Sequence, residues 1–197
     1  MVKQVMVVGG SNGADRFNAQ SILRKLIKFD TLIKVKDQNE IAKTINYVLR
    51  ESGVRYASND LKKCVKTKAL VHNLKVLKGA KDGVKGILER ISEFNGVNAD
   101  IRKVKYFMKI FQYIKSKSSR DYLMERGICR NTIAIDIRVQ NIFRNNNLTI
   151  PNEAISNPSI YDQVEKEIVT KICNKIKIEP VKFDRILYQN YENILDN

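Results

Sequence analysis

The side chains best suited to chemistry lie close together in the chain. They fall in Tyr113-Ile114-Lys115-Ser116-Lys117-Ser118-Ser119-Arg120-Asp121-Tyr122-Leu123 and, after Gly127, in Asn131-Thr132-Ile133-Ala134-Ile135-Asp136-Ile137-Arg138-Val139. A lysine amine can attack an electrophilic carbon and form a Schiff base, and this stretch carries Lys115 and Lys117. The competing assignment is a phosphate-contacting or solvated lysine, one among many. Asp136 interrupts the apolar run Ile133 to Val139. A carboxylate there either serves a site or caps the following helix and pairs with Arg138 or another base.

Other chemistries find little support. His72 is the only histidine, which excludes a multi-histidine metal site and leaves His72 as an ordinary helix-face residue. Cys64, Cys129 and Cys173 are too few and too far apart for a disulfide framework, a zinc cluster or a four-cysteine iron-sulfur loop. They are expected to be reduced, structural thiols, and neither metal nor cofactor is expected. Val5 to Val8, followed by Gly9, Gly10, Ser11, Asn12 and Gly13, reads as a short strand and turn that could cradle a phosphate. Those glycines match neither the dinucleotide fingerprint nor a P-loop, so a nucleotide site rests on them alone. Phe107, Phe111, Tyr113 and Tyr122 offer rings for stacking, yet aromatics at this spacing are more often core.

The elements that must position these residues are mainly helical. Ile41, Ile45, Val48 and Leu49 share one helix face, closed by Gly53. Leu70, Leu74 and Leu77 form a second stripe, ending at Gly79; Val84, Ile87, Leu88 and Ile91 form a third, ending near Gly96; Val104, Met108 and Phe111 form a fourth. A break near Lys115 to Ser118 precedes a short helix through Leu123 to Gly127, and a further helix carries Ile135, Val139, Ile142 and Phe143. Asn157-Pro158 reads as a cap with proline at the first helical position of a helix through Ile160, Val164, Ile168 and Ile172. Pro180 opens the last helix, striped by Phe183, Leu187 and Ile194. Tyr188 and Tyr191 are expected to pack against the rest of the fold.

The chain has 197 residues with 36 Lys and Arg against 21 Asp and Glu, a net charge of +15. An excess of this size makes nucleic-acid phosphate the first partner to consider. No apolar run approaches the length of a membrane span, and the start is too short for a signal peptide, so an intracellular, soluble protein is expected.

The central stretch resembles the helix-hairpin-helix DNA glycosylases, above all the archaeal-type 8-oxoguanine glycosylase/lyases. In these a hairpin ending in lysine precedes an apolar run into aspartate, and Lys117 and Asp136 stand at a similar spacing. The resemblance extends to Leu49-Arg50-Glu51-Ser52-Gly53-Val54-Arg55-Tyr56, to the basic helix around Lys66 to Leu77, and to Phe183-Asp184-Arg185-Ile186-Leu187-Tyr188. It covers roughly residues 40 to 195 by pattern. One departure is plain: the hairpin pattern Gly-x-Gly-x-Lys here reads Tyr113-Ile114-Lys115-Ser116-Lys117, which implies an altered hairpin.

The resemblance implies a two-lobed, mainly α fold over residues 21–197, with residues 1–20 as an N-terminal extension or strand-turn. It implies a monomer acting on damaged double-stranded DNA, in the cytoplasm or at the nucleoid, by flipping a base such as 8-oxoguanine into a pocket. Lys117 would be the nucleophile, and Asp136 would cap a helix and stabilise positive charge developing on the sugar. Lys115, Ser116, Ser118, Ser119, Arg120 and Arg138 would contact DNA. The alternative is a non-catalytic helix-hairpin-helix DNA-binding module.

Overall fold

The computed structural model describes residues 2–7 and 10–195, and among them it is mainly helical, without strands. The chain divides into two compact units, one built from residues up to 89 with 109–114, the other from 90–108 with residues from 115 onward.

The first unit opens with helix α1 (Val2–Met6), followed by α2 (Asn12–Ala19), α3 (Ser21–Leu26), α4 (Phe29–Leu32), α5 (Gln38–Glu51) and α6 (Val65–Gly79). The strand expected at Val5 to Val8 is corrected. Val5 and Met6 lie in α1 and are fully buried, Val7 is in the turn after it, and Val8, with Gly9, falls outside the described residues. An apolar run this short reads equally as a buried helical turn, and here the helix is realised. The phosphate-cradling turn is corrected with it. Gly13 lies inside α2, where a Cβ would meet the backbone and side chain of Val54 at 2.8 Å, so this glycine serves close packing.

The stripe Ile41, Ile45, Val48, Leu49 is buried on α5, whose Asp37 cap accepts from Asn39 N–H at 2.8 Å. Gly53 ends that helix at φ +65°, with Arg16 Nη1 2.8 Å from where a Cβ would stand. α5 and α6 pack together and share a buried polar contact, Thr67 Oγ1 donating to Asn46 Oδ1 at 2.9 Å.

The passage between units falls within α7 (Gly83–Ser92) and α8 (Ala99–Ile110). The second unit continues with α9 (Ser116–Glu125), α10 (Ile137–Asn145), a 3-10 turn (Asn152–Ile155), α11 (Pro158–Ile168), α12 (Pro180–Gln189) and α13 (Tyr191–Leu195). Its core gathers Ile133, Ile135, Val139, Ile142, Phe143, Tyr161, Val164, Ile168 and Leu187. Asn157 caps α11 with Pro158 in the first turn, as its sequence implies.

Two helices end earlier than their stripes suggest. α11 widens into a π turn at Val169–Cys173, where Thr170 Oγ1 donates back to Lys166 O at 2.6 Å. The final helix breaks at Asn190, whose side chain donates to Ile186 O at 2.9 Å, leaving Ile194 on α13. No described helix is long and apolar enough to cross a membrane.

Candidate active site

The second unit brings Lys117 and Asp136 together. Lys117 lies in the first turn of α9, and the turn before that helix is made by Tyr113, which adopts φ +62°. This is the left-handed region that glycine favours, adopted here by a residue that carries a Cβ. Lys115 is the N-cap: its N–H donates to Ser118 Oγ at 3.1 Å, and its carbonyl accepts from Ser119 Oγ at 2.7 Å. The first amide to close on it within the helix is Ser119 N–H at 2.9 Å, leaving the earlier amides of α9 without a carbonyl inside the helix.

Asp136 precedes α10 in extended conformation. Its Oδ1 accepts from the N–H groups of Arg138 at 2.9 Å and Val139 at 3.3 Å, while Oδ2 lies 3.9 Å from Lys117 Nζ. One oxygen therefore caps the helix, and the other faces the amine. Lys117 also forms a close ion pair with Asp121, one turn along α9. Burial pulls the Lys117 amine down, but Asp121, Asp136 and Asp184 outweigh that and hold it above its ordinary value, charged. Burial pushes the Asp121 carboxyl up against the lowering pull of Lys117. Asp184 of α12 is pushed up to about 6 by burial and by the nearby carboxylates, although Ala134 N–H donates to it at 2.8 Å.

The segment carrying Asp136 is extended yet pairs with no strand, so its backbone groups need other partners. Carboxylates from three helices supply them. Asp100 of α8 accepts from Arg130 N–H at 2.9 Å and Asn131 N–H at 2.8 Å. Glu165 of α11 accepts from Ile133 N–H at 2.8 Å and from the Thr132 hydroxyl, and Asp184 takes Ala134. Carbonyls are held as well: Lys103 Nζ donates to Ile128 O at 2.9 Å, and Tyr161 OH to Ile133 O at 3.2 Å.

Glu165 also grips the helix of Lys117. Arg120 donates to it through Nε at 2.9 Å and Nη2 at 2.5 Å, with further bonds to Asp162 Oδ1 at 2.8 Å and Ser116 O at 3.2 Å. Its guanidinium lies 4.2 Å from the Tyr161 ring centroid. The expectation that Arg120 contacts DNA is corrected, since its side chain is 0% exposed and satisfied by buried carboxylates. Ser116, Ser118 and Ser119 are also buried, so their hydroxyls are not surface ligands: those of Ser118 and Ser119 serve the start of α9, and that of Ser116 lies 4.0 Å from Met108 Sδ.

Lys115 is exposed. Arg138 is half-buried with its guanidinium 4.7 Å from the Tyr188 ring, and a hydrogen bond to Tyr188 pushes its pKa up. Tyr188, expected as packing, is 60% exposed. With Arg138, Gln189, Tyr191, Glu192 and Asn193 it lines an open cavity of about 280 Å³. Tyr191 fits its expectation better, being half-buried and accepting from Asn141 Nδ2 at 3.1 Å. Phe107 and Tyr122 are buried and stacked on each other, centroids 5.1 Å apart, and Phe111 is buried in the first unit.

Lys66 and the three cysteines are withdrawn from solvent. Lys66 of the first unit is buried, its Nζ donating to Met6 O at 3.3 Å, and burial lowers its pKa. The three cysteines are free and buried, and burial pushes the Cys129 thiol up to about 12. No group of side chains suited to holding a metal ion occurs among the described residues.

Sequence reasoning missed Asp100, Asp121, Asp162 and Glu165 as partners, and it quoted Asp184 without a role. The available signal was an acidic residue on an otherwise apolar helix face, as where Glu165 follows Val164 in α11. No protein-family model, no curated protein and no solved structure matches the chain.

Proposed function

We propose that this protein is a base-excision DNA glycosylase with lyase activity that removes an oxidised purine such as 8-oxoguanine. The observation that carries the reading is the amine of the half-buried Lys117 3.9 Å from the second oxygen of a helix-capping Asp136. An amine and a carboxylate so placed suit attack on a sugar carbon as the base departs, with the negative charge stabilising the cation that forms. The resemblance of the surrounding stretch to helix-hairpin-helix glycosylases supports the same assignment, as does the +15 charge for a phosphate ligand. Lys115 and the first amides of α9 are the proposed phosphate contacts, with damaged double-stranded DNA as partner. A monomer in the cytoplasm or at the nucleoid goes with this reading.

A second reading, a non-catalytic DNA-binding module, is favoured by the pairing of Lys117 with Asp121, which holds the amine charged. Borohydride separates the two. The enzyme is incubated with duplex containing 8-oxoguanine, an abasic site or no lesion, and covalent protein-DNA bands are scored. A band that vanishes in Lys117→Gln supports the glycosylase/lyase. Salt-sensitive binding of intact duplex, with no band and no base released from a panel of lesions, refutes it in favour of the module.

A further inference from the structure

A lysine that attacks carbon must first lose a proton, and the structure offers three carboxylates near it. Asp184 is engaged by Ala134 N–H, and Asp136 gives Oδ1 to two amides while its Oδ2 stands at 3.9 Å, beyond hydrogen-bond reach. Only Asp121 is in direct hydrogen-bonded contact with Nζ. Resting on the glycosylase/lyase reading above, we propose that Asp121 is the proton acceptor of Lys117 and shuttles its protons through the reaction, leaving Asp136 to stabilise the sugar cation.

The surroundings suit this exchange. Asp121 is half-buried one turn below Lys117, facing Glu125 on its own helix, Asp136 at the start of α10, Asp184 on α12 and Tyr161 on α11. Burial acts oppositely on the pair, raising the carboxyl and lowering the amine, so both effects favour the neutral acid and free amine. In the free protein the attraction between the charges prevails. A DNA strand laid over the pair removes water and adds desolvation to both partners, shifting the balance toward transfer.

The step balances. One proton passes from the Lys117 ammonium to the Asp121 carboxylate, leaving amine and acid. The amine lone pair forms the N–C1′ bond while the C1′–base bond breaks with its electron pair going to the base, which takes up the proton from Asp121. The nitrogen, now carrying two hydrogens and a positive charge, gives one proton to the restored carboxylate. Its lone pair forms C=N as the C1′–O4′ bond breaks, and O4′ receives that proton. Lys117 ends as a protonated imine and Asp121 as a carboxylate, with no oxidant or reductant involved.

The test is the rate of borohydride trapping on abasic-site duplex across pH, with duplex affinity and thermal melting measured alongside. Asp121→Asn, an amide that accepts no proton, is expected to trap about a hundredfold more slowly at neutral pH with DNA affinity unchanged. Its rate should climb about tenfold per pH unit as hydroxide replaces the missing acceptor. Asp121→Ala should recover with added formate in proportion to its concentration, a response that a purely structural role would not give. Should Asp121→Asn misfold, formate rescue of Asp121→Ala and retained activity in Asp121→Glu carry the test. Trapping by Asp121→Asn at the wild-type rate or faster, or a slow Asp121→Ala that formate does not rescue, overturns the proposal while leaving the glycosylase reading intact. Absence of trapping by the wild-type protein overturns that reading itself.

Discussion

Glu165→Gln tests whether the buried ion pair holds the site together. Glu165 and Arg120 are 2% and 0% exposed, so the substitution leaves a guanidinium in the interior without its principal counter-charge. Neither amide orientation restores the bonds. With its oxygen toward Ile133 N–H and the Thr132 hydroxyl, the amide nitrogen meets Arg120 Nη2, donor against donor; flipped, it meets Ile133 N–H. Breaking a buried pair by removing one partner costs about 3–5 kcal/mol. Asp162 and the Ser116 carbonyl remain to Arg120, which places the expected loss near the lower end, about 3 kcal/mol.

That loss is a large share of a typical stability of about 5–15 kcal/mol. Followed by circular dichroism in urea, with a slope of roughly 2–3 kcal/mol per molar, it lowers the midpoint by about 1 M or more. The double variant Arg120→Met with Glu165→Gln removes the stranded charge and keeps one acceptor for Ile133, so it should be more stable than Glu165→Gln alone. A single variant within about 1 kcal/mol of wild type, or a double variant whose losses simply add, refutes the reasoning.

Further outcomes follow from the site's geometry. Asp136→Asn should leave stability within a few tenths of a kcal/mol, because asparagine caps as well as aspartate, while under the proposed function base release falls about 10²–10³-fold; Asp136→Ala loses the cap too, about 1 kcal/mol in the same melts. Asp184 has its carboxyl raised from 3.8 to about 6, so the folded state prefers the acid: the stabilisation is fully present below pH 3.8 and is lost as pH rises through about 6. At about 1.4 kcal/mol per pH unit the loss reaches at most about 3 kcal/mol, so Asp184→Asn should match wild type near pH 4 and gain on it by pH 7 in paired urea titrations. Tyr113 at φ +62° strains any residue with a Cβ, so Tyr113→Gly should melt higher than Tyr113→Ala, by about 1 kcal/mol, reversing the usual order of the two.

The readable part of the fold was local. Helix faces such as Ile41 to Leu49, the caps Asp136 and Asn157, the terminator Gly53 and the helix-opening Pro180 announce themselves because their physics lies within one helical turn. Lys117 and Asp136 were picked out as a pair only through the resemblance of the stretch around them. What escaped was long-range pairing. Arg120 reads as one more surface base in a chain full of them, and its burial depends on Glu165 being 45 positions away. Asp100, Glu165 and Asp184 look like ordinary helix acids until the extended segment 130–134 needs its N–H groups satisfied. Gly13 suggested a phosphate turn because nothing local reveals that Val54 will close upon it.

The acidic residues also resolve an apparent conflict between partner and site. A chain with 36 basic and 21 acidic residues places Asp121, Asp136 and Asp184 around a single amine. Under the proposed function these two distributions act at different ranges. Exposed lysines such as Lys115 draw the phosphates in through a field that salt screens, so association should weaken steeply as salt rises. The carboxylates act within a few ångströms on a half-buried centre, where screening is slight, and their negative charge favours a sugar that becomes cationic as its base departs. Neutralising Asp136 should therefore slow chemistry with little change in the salt dependence of binding. Neutralising Lys115 should lower that dependence, with little effect on the trapping rate once DNA is saturating.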